Sequence, residues 1–598
     1  MIVKSNDEKT NNVLLKAFFI IGAIILIIAP FFLGKYLLFV VTMIFVSAYL
    51  AGAWNLMGGY GGLLSFGHAA FLGLGAYTTA LLYLYFNITP WIGMWAGAFL
   101  ATLMSLILAW LTFRYRLKGV YFAVATLLMA EIFRIIAVNV DWTGYSQGLQ
   151  IPLKNAPLEF QFSERALYYI GFIMMVGILY LTWRFSMSIL GRRLVSSRED
   201  EEAAASLGVN LLRTKIMIIC LSAFLTSIGG AYHAFFMRMI LPDMDFGLHT
   251  SIMMVAATML GGQGTVFGPL IGTTVLTIVI EMLGDIGTRF GILEIFSVTQ
   301  IVYGIILMFL IAFLPNGIMG IIGKLRILQW GERIEAKALE DGVPEQPRVL
   351  SSKLQESTVD HEIMNLRDLN KYFGGLKAID GLDISIKQGE ILGLIGPNGS
   401  GKTTLFNLIS GFYKPNKGTI TFQNQDITAL KPHQICELGV GRTFQIVKPF
   451  GKLSVLENVS IGNFIRAEDT KEATENALNI IDFVGLKEMA SRMAAGLSLI
   501  ERKRLELARA LATEPNLLLL DEVMAGLNSK EHEIMIDLVR KIHDSGVTLF
   551  IIEHTMRIMM ALSHRICVLN HGEKIADGEP AMIQNDPIVI EAYIGKED

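Results

Sequence analysis

The chain of 598 residues carries 50 Lys and Arg against 53 Asp and Glu, for a formal net charge of −3, and is 53% hydrophobic but only 17% charged. Soluble domains are about 45–50% apolar and about 25% charged, so the composition excludes a protein that is soluble throughout. No basic block is present to supply a nucleic-acid footprint. The apolar excess is confined to the part before about residue 321, and ordinary soluble composition follows from about residue 361, which divides the chain into two kinds of domain. Cys220, Cys436 and Cys567 are too far apart in sequence for a disulfide framework or zinc site.

Lys4, Lys9 and Lys16 precede an apolar run from 17 to 33 that is too long for a signal-peptide core, and it reads as a first membrane helix that stays in place. A helix needs about 20 mostly apolar residues to cross a bilayer. Candidate spans fall at 17–34, 37–57, 66–86, 91–113, 119–138, 166–184, 214–238, 248–262, 268–285 and 298–314, about ten in all. Arg114, Arg116 and Lys118 mark one cytoplasmic loop, and Arg184, Arg192, Arg193, Arg198, Arg213 and Lys215 mark another. Residues 139–165 between them face outward. An even count places both termini and the soluble half on the cytoplasmic side.

Glycine is dense at 58–62, at Gly73 and Gly75, and at 261–264. Such clusters suit either close helix packing or irregular backbone lining a translocation path. His68 lies in an apolar stretch, where it is either a functional group of the path or a neutral imidazole bonded to a neighbouring helix. The charged, Ala-rich stretch from Gly191 to Gly208 predicts a short loop helix closed by Gly208. Its position in the longest inner loop favours docking into an ATPase subunit over a merely solvated helix. The polar stretch 323–360, with Pro344 and Pro347, reads as a tether that includes a short helical segment at 332–340.

In the soluble half, Ile391–Ile395 predicts a buried strand leading into Gly396-Pro397-Asn398-Gly399-Ser400-Gly401-Lys402-Thr403 and a helix from Thr404. Strand, glycine-rich loop and helix in that order form a phosphate-binding P-loop. Its backbone N–H groups curl around phosphate oxygens, Lys402 reaches the β- and γ-phosphates, and Thr403 ligates Mg²⁺. A second apolar strand, 517–520, ends in Asp521-Glu522, which suits a Mg²⁺ partner followed by a general base. A third, 547–552, delivers Glu553-His554, with His554 placed to sense the γ-phosphate. Gln445 sits between these elements, where its amide reaches Mg²⁺ and the attacking water.

These residues resemble the ABC transporter ATPases over about residues 361–598. The resemblance makes Gly396–Thr403, with Thr404, the nucleotide loop, Gln445 the Q-loop, Asp521 and Glu522 the end of the Walker B strand, His554 the switch histidine and 525–528 the D-loop. It implies Phe373 (or Tyr372) as the aromatic that stacks on adenine. The family signature Leu-Ser-Gly-Gly-Gln is matched here by Leu497-Ser498-Leu499-Ile500-Glu501, so Ser498 is retained and both glycines are replaced. The signature approaches ATP held by another subunit, so one composite site is expected to be weaker.

The membrane half resembles the permeases of the branched-chain amino acid (LIV) uptake systems through 55–77, 119–123, 143–152, 198–208, 261–272 and 314–318. The ATPase half is similar to the ATPases of the same systems, down to the tail 591–595. The expected architecture is an all-α polytopic permease (1–322), a cytoplasmic linker (323–360) and an α/β P-loop ATPase (361–598), fused in one chain. The resemblance implies an ATP- and Mg²⁺-dependent importer in a prokaryotic inner membrane. Its expected partners are a second permease, a second ABC ATPase and an extracytoplasmic solute-binding protein. A half-size exporter fits less well, because such exporters have six long helices. A signalling complex without transport usually carries a large outer domain that is missing here.

Overall fold

The computed structural model describes residues 21–115, 117–152, 162–289, 304, 305, 308, 313, 317–324 and 361–594, without the side chains of 283–289, 322–324 and 594. The span at 298–314 and the tether therefore lie largely or wholly outside the described residues. The chain divides into two compact units: residues 1–195 with 212–330, and 196–211 with 331–598. The inner-loop segment 196–211 thus belongs with the ATPase unit.

In the first unit, six helices among the described residues are long and apolar enough to cross a membrane: Lys35–Tyr60, His68–Phe86, Pro90–Arg114, Val120–Asn139, Glu164–Met187 and Leu211–Met237. Two further expected spans appear as shorter apolar helices, Ile21–Phe31 and Gly268–Met282. The span expected at 248–262 is the 14-residue helix Leu248–Gly261. At 1.5 Å per residue it is about 21 Å long, short of a bilayer core of about 30 Å. The helix stops there because Gly262, with φ +126, leaves the helical region.

The glycine clusters serve close packing. A Cβ on Gly75 would sit 2.0 Å from the Ser227 carbonyl oxygen, so the helices His68–Phe86 and Leu211–Met237 meet backbone to backbone. The first span ends in a π turn, Leu56–Tyr60, which meets the break after Gly261. There the Asn55 amide donates to the Thr265 carbonyl (2.9 Å), and its oxygen accepts from Gly264 N–H (2.8 Å). A buried side chain therefore takes over backbone groups that no helix satisfies.

His68 is fully buried and held on both sides: Nε2 lies 2.8 Å from Ser222 Oγ and Nδ1 lies 3.0 Å from Ser65 Oγ. Ser222 gives its proton to the Ala53 carbonyl (2.7 Å), so it accepts from Nε2–H, leaving Nδ1 to accept from Ser65. The imidazole is neutral and satisfied, a structural tie between the helices starting at His68 and Leu211. Outside these helices, β1 (Leu149–Gln150) pairs antiparallel with β2 (Met239–Ile240).

The second unit has two sheets. One is antiparallel, ordered β4-β3-β6-β7, from β3 (Glu362–Phe373), β4 (Leu376–Lys387), β6 (Lys417–Phe422) and β7 (Gln425–Asp426). The other, ordered β12-β11-β5-β10-β9-β8, contains β5 (Ile391–Ile395), β8 (Val440–Arg442), β9 (Leu517–Asp521), β10 (Thr548–Ile552), β11 (Arg565–Asn570) and β12 (Glu573–Gly578). β5, β9 and β10 are buried along their whole length, as continuous apolar runs in a parallel sheet demand.

H68A should leave the buried Ser65 and Ser222 hydroxyls short of a partner. A loss of about 1–3 kcal/mol is expected, read as a lower Tm of the lipid-embedded chain, with transport per folded molecule unchanged. Normal Tm with abolished transport would instead give the imidazole a role in the path.

Candidate ATP site

The site is assembled by strand register. β10 pairs in parallel with β5 (Ile552 opposite Leu394) and with β9 (Ile552 opposite Asp521). Three loops far apart in sequence therefore leave the same edge of the sheet at one level. They carry the P-loop after β5, Asp521-Glu522 at the end of β9 and Glu553-His554 after β10.

Within the P-loop, Gly401 has φ +104 and a Cβ there would approach the Ala378 carbonyl at 2.5 Å, so only glycine fits. The helix Lys402–Ile409 begins immediately after, and its first N–H groups point into the loop. Lys402 is buried and folds back, donating to the carbonyls of Gly396 (2.7 Å) and Pro397 (2.9 Å). Burial holds its ammonium below the usual lysine range.

Asp521 is buried and displaced upward, first by burial, while its Oδ2 lies 3.5 Å from Arg442. Its Oδ1 has no hydrogen-bond partner among the described residues. Arg442 also donates to Asn407 (2.7 Å) and Ser410 (2.7 Å) on the helix after the P-loop. Glu522 is the centre of the cluster. Gln445 Nε2 donates to its Oε2 (2.8 Å), and His554 Nε2 lies 2.8 Å from its Oε1. Its backbone takes φ +49, a costly conformation for a non-glycine residue. The Glu522 N–H bond to the Ile552 carbonyl (2.9 Å) and the Lys503 Nζ bond to the Glu522 carbonyl (2.9 Å) hold it there.

Gln445, Asp521, Glu522 and His554 thus converge beside the P-loop. Phe373 is 44% exposed and lies edge-on to Tyr413 at 5.3 Å, while Tyr372 spends its hydroxyl on Asn370 (2.9 Å). Ser498 stands apart: it caps the helix Leu499–Leu511, and its own N–H donates to Glu501 (2.7 Å). Among the described residues it makes no hydrogen bond to the P-loop.

Four supporting residues were not singled out from the sequence. Lys503 reaches Glu522 from the helix after the signature. Glu506 accepts from Phe444 N–H (2.7 Å) and Glu553 from Met524 N–H (2.9 Å); burial pushes each carboxyl up to about 7. Tyr593, in the tail, accepts the Gly396 N–H at 2.7 Å. The one sequence signal for Tyr593 was the family-like tail 591–595. Lys503 and Glu506 sit at regular helix positions where spacing marks nothing, and Glu553, in the loop after β10, was read from the sequence only as the neighbour of His554.

On the same unit, the inner-loop segment forms two helices rather than one: Ile189–Glu199 ends before Asp200, which caps Glu201–Ser206 through Ala203 N–H (2.8 Å). Gly208, with φ +78, closes it. Lys448, three residues after Gln445, pairs with Glu202 (2.9 Å) and Asp200 (3.2 Å), and Lys452 with Glu199 (3.6 Å). The loop segment and the Q-loop region are thereby joined by charge.

Among known proteins, the family model described as "Branched-chain amino acid transport system / permease component" matches residues 19–311. "ABC transporter" matches 379–525, and "Branched-chain amino acid ATP-binding cassette transporter" matches 573–598. The high-affinity branched-chain amino acid transport ATP-binding protein LivG of Salmonella typhimurium is 38% identical over 252 residues, spanning 39% of this chain and 98% of LivG. BraF of Pseudomonas aeruginosa, with the same description, is 38% identical over 250 residues, spanning 39% and 98%. The crystal structure of an ATP-binding cassette of an ABC transporter in its ADP conformation is 35% identical, spanning 40% of this chain and all of that one, with a TM-score of 0.37. With a permease match on one half and near-complete ATP-binding subunits on the other, the chain belongs to the branched-chain amino acid ABC transporters as a fusion of permease and ATPase in one multi-pass membrane polypeptide.

Proposed function

We propose that this chain hydrolyses ATP to import branched-chain or related amino acids, or small amide or carboxylate solutes, delivered by an extracytoplasmic binding protein. The observation that carries the reading is the convergence of Gln445 and His554 on Glu522 beside the P-loop, on a unit whose surface also holds the permease's own inner-loop segment. The reading places the chain in a prokaryotic inner membrane with its ATPase on the cytoplasmic side.

A Mg²⁺–nucleotide fits the residues present. The loop is closed to a Cβ at Gly401, Asp521 Oδ1 is buried without a hydrogen bond, and the desolvated Lys402 lacks a carboxylate of its own at bonding distance. Thr403, Gln445 and Asp521 would hold Mg²⁺, which when bound offsets the charge on the phosphates. The P-loop backbone N–H groups from Asn398 to Thr404 hold the phosphate chain, and Lys402 exchanges its two carbonyl contacts for phosphate oxygens. Phe373, the exposed aromatic, stacks on adenine. Glu522 takes the proton of the attacking water, with Gln445 and His554 fixing its carboxylate at both oxygens.

Ser498 is exposed, away from this chain's own loop, and serves ATP bound by a second ABC ATPase. Because Ile500 and Glu501 replace the small and neutral residues of the family signature, the partner ATPase is a different chain with its own permease. The Lys448 pairs transmit closure of the ATPases to the helices through the loop at 196–211.

E522Q should slow ATP hydrolysis by the purified complex by roughly 10²–10⁴-fold while leaving nucleotide binding intact; near-normal turnover would remove Glu522 as the base. K402A should abolish ATP-driven uptake, with the permease half still folded. K448E should cut uptake a few-fold, since exposed ion pairs are worth about 0.2–1 kcal/mol each, and E202K added to it should restore part of the loss. Strictly additive effects of the two changes would show that this contact carries no coupling.

A further inference from the structure

We infer that Asp245, Tyr77 and the ring of Phe246 form a site in the permease half for the ammonium group of an amino acid. This rests on the importer reading above and names residues for its solute. Asp245 ends the turn Pro242–Asp245 and is 3% exposed. Its Oδ2 accepts the Leu241 N–H at 2.8 Å. Its Oδ1 is buried without a hydrogen bond among the described residues, as is His233 Nδ1, which faces it at 3.4 Å. Two positions earlier on the same turn, Asp243 is neutralised by Arg134 (2.7 Å), which also bonds Glu131 (2.6 Å). Among the described residues, no arginine or lysine forms an ion pair with Asp245, whose ion-pair neighbour is His233.

Next to it, Phe246 is buried and stacks on Tyr77 with ring centroids 5.4 Å apart, and on Phe133 at 6.1 Å. Tyr77 is itself buried and has a hydroxyl with no hydrogen-bond partner among the described residues. A carboxylate oxygen that has only the 3.4 Å approach of His233 among the described residues, and a phenol with no hydrogen bond among them, are costly when both are buried inside a membrane protein. A primary ammonium answers both: it donates to Asp245 Oδ1 and to Tyr77 Oη, and the aromatic faces favour a cation.

The position suits delivery. The turn follows β2, which pairs with β1 in the segment that the Lys and Arg pattern places outside. His233 lies near the end of the helix Leu211–Met237, opposite the Arg213 and Lys215 end that the charge pattern places inside.

The test is binding of radiolabelled leucine to the assembled transporter, purified through this chain and embedded in nanodiscs without binding protein. Leucinamide, which keeps the ammonium, should compete, and isocaproate, which lacks it, should not. D245N preserves the bond to Leu241 N–H but removes the charge, and should weaken leucine binding by roughly tenfold or more. Y77F keeps the ring stack and should weaken it by roughly threefold to tenfold. A purely structural Asp245 would lower the yield of folded complex and leave the affinity and competition order of what remains unchanged. That result, equal competition by isocaproate, or no leucine binding by the wild type overturns the site. Failure of the importer reading shows separately, as absence of ATP-driven leucine uptake into vesicles supplied with the binding protein.

Discussion

β5, β10 and β9 lie side by side with every residue buried, so their backbone N–H and C=O groups must find partners within the sheet, in one another and in the flanking β11 and β8. That requirement locks the register, and the register brings three loop starts to one level at the end of the sheet. The P-loop, the Asp521-Glu522 pair and the Glu553-His554 pair inherit their proximity from it. A slip of one residue would turn each strand's side chains to the opposite face and separate these groups. The unfavourable backbone of Glu522 is sustained by the same network, through its bond to Ile552 at the end of β10 and by Lys503 from the neighbouring helix.

The permease unit obeys the same accounting under a harsher solvent. Without water, irregular backbone persists only where a side chain takes over its hydrogen bonds. Asn55 does so at the broken segment after Gly261, and Ser222, Ser65 and His68 close a ring of bonds between two helices. Small residues let those groups come close enough to bond. The Tyr77 hydroxyl and Asp245 Oδ1 are buried without a hydrogen bond among the described residues, as are Ser227 Oγ and Thr273 Oγ1.

The ATPase unit also carries groups that its own fold does not use. Ser498 sits exposed at the start of a helix whose first turn is capped by its own Glu501, and the acidic inner-loop segment is matched by Lys448 and Lys452.

Much of this was legible in the residues. The P-loop spacing, the acidic pair after an apolar run and the Glu-His pair after another predicted the strands and the groups that stand at their tips, because these depend on local spacing and residue type. Six spans were readable from apolar length, whereas the helix at 248–261 was overestimated because Gly262 ends it before it can cross. His68 could not be assigned locally, since its partners include Ser222, 154 positions away. Tyr593 on Gly396 and Lys503 on the Glu522 carbonyl were invisible for the same reason. By itself, then, the sequence determined which segments are strands, loops and membrane helices and which chemical groups they carry. Only the tertiary structure decided which distant groups share a bond and which stay unpaired, because strand register and backbone approach across glycine are set by packing between segments, not by spacing within one.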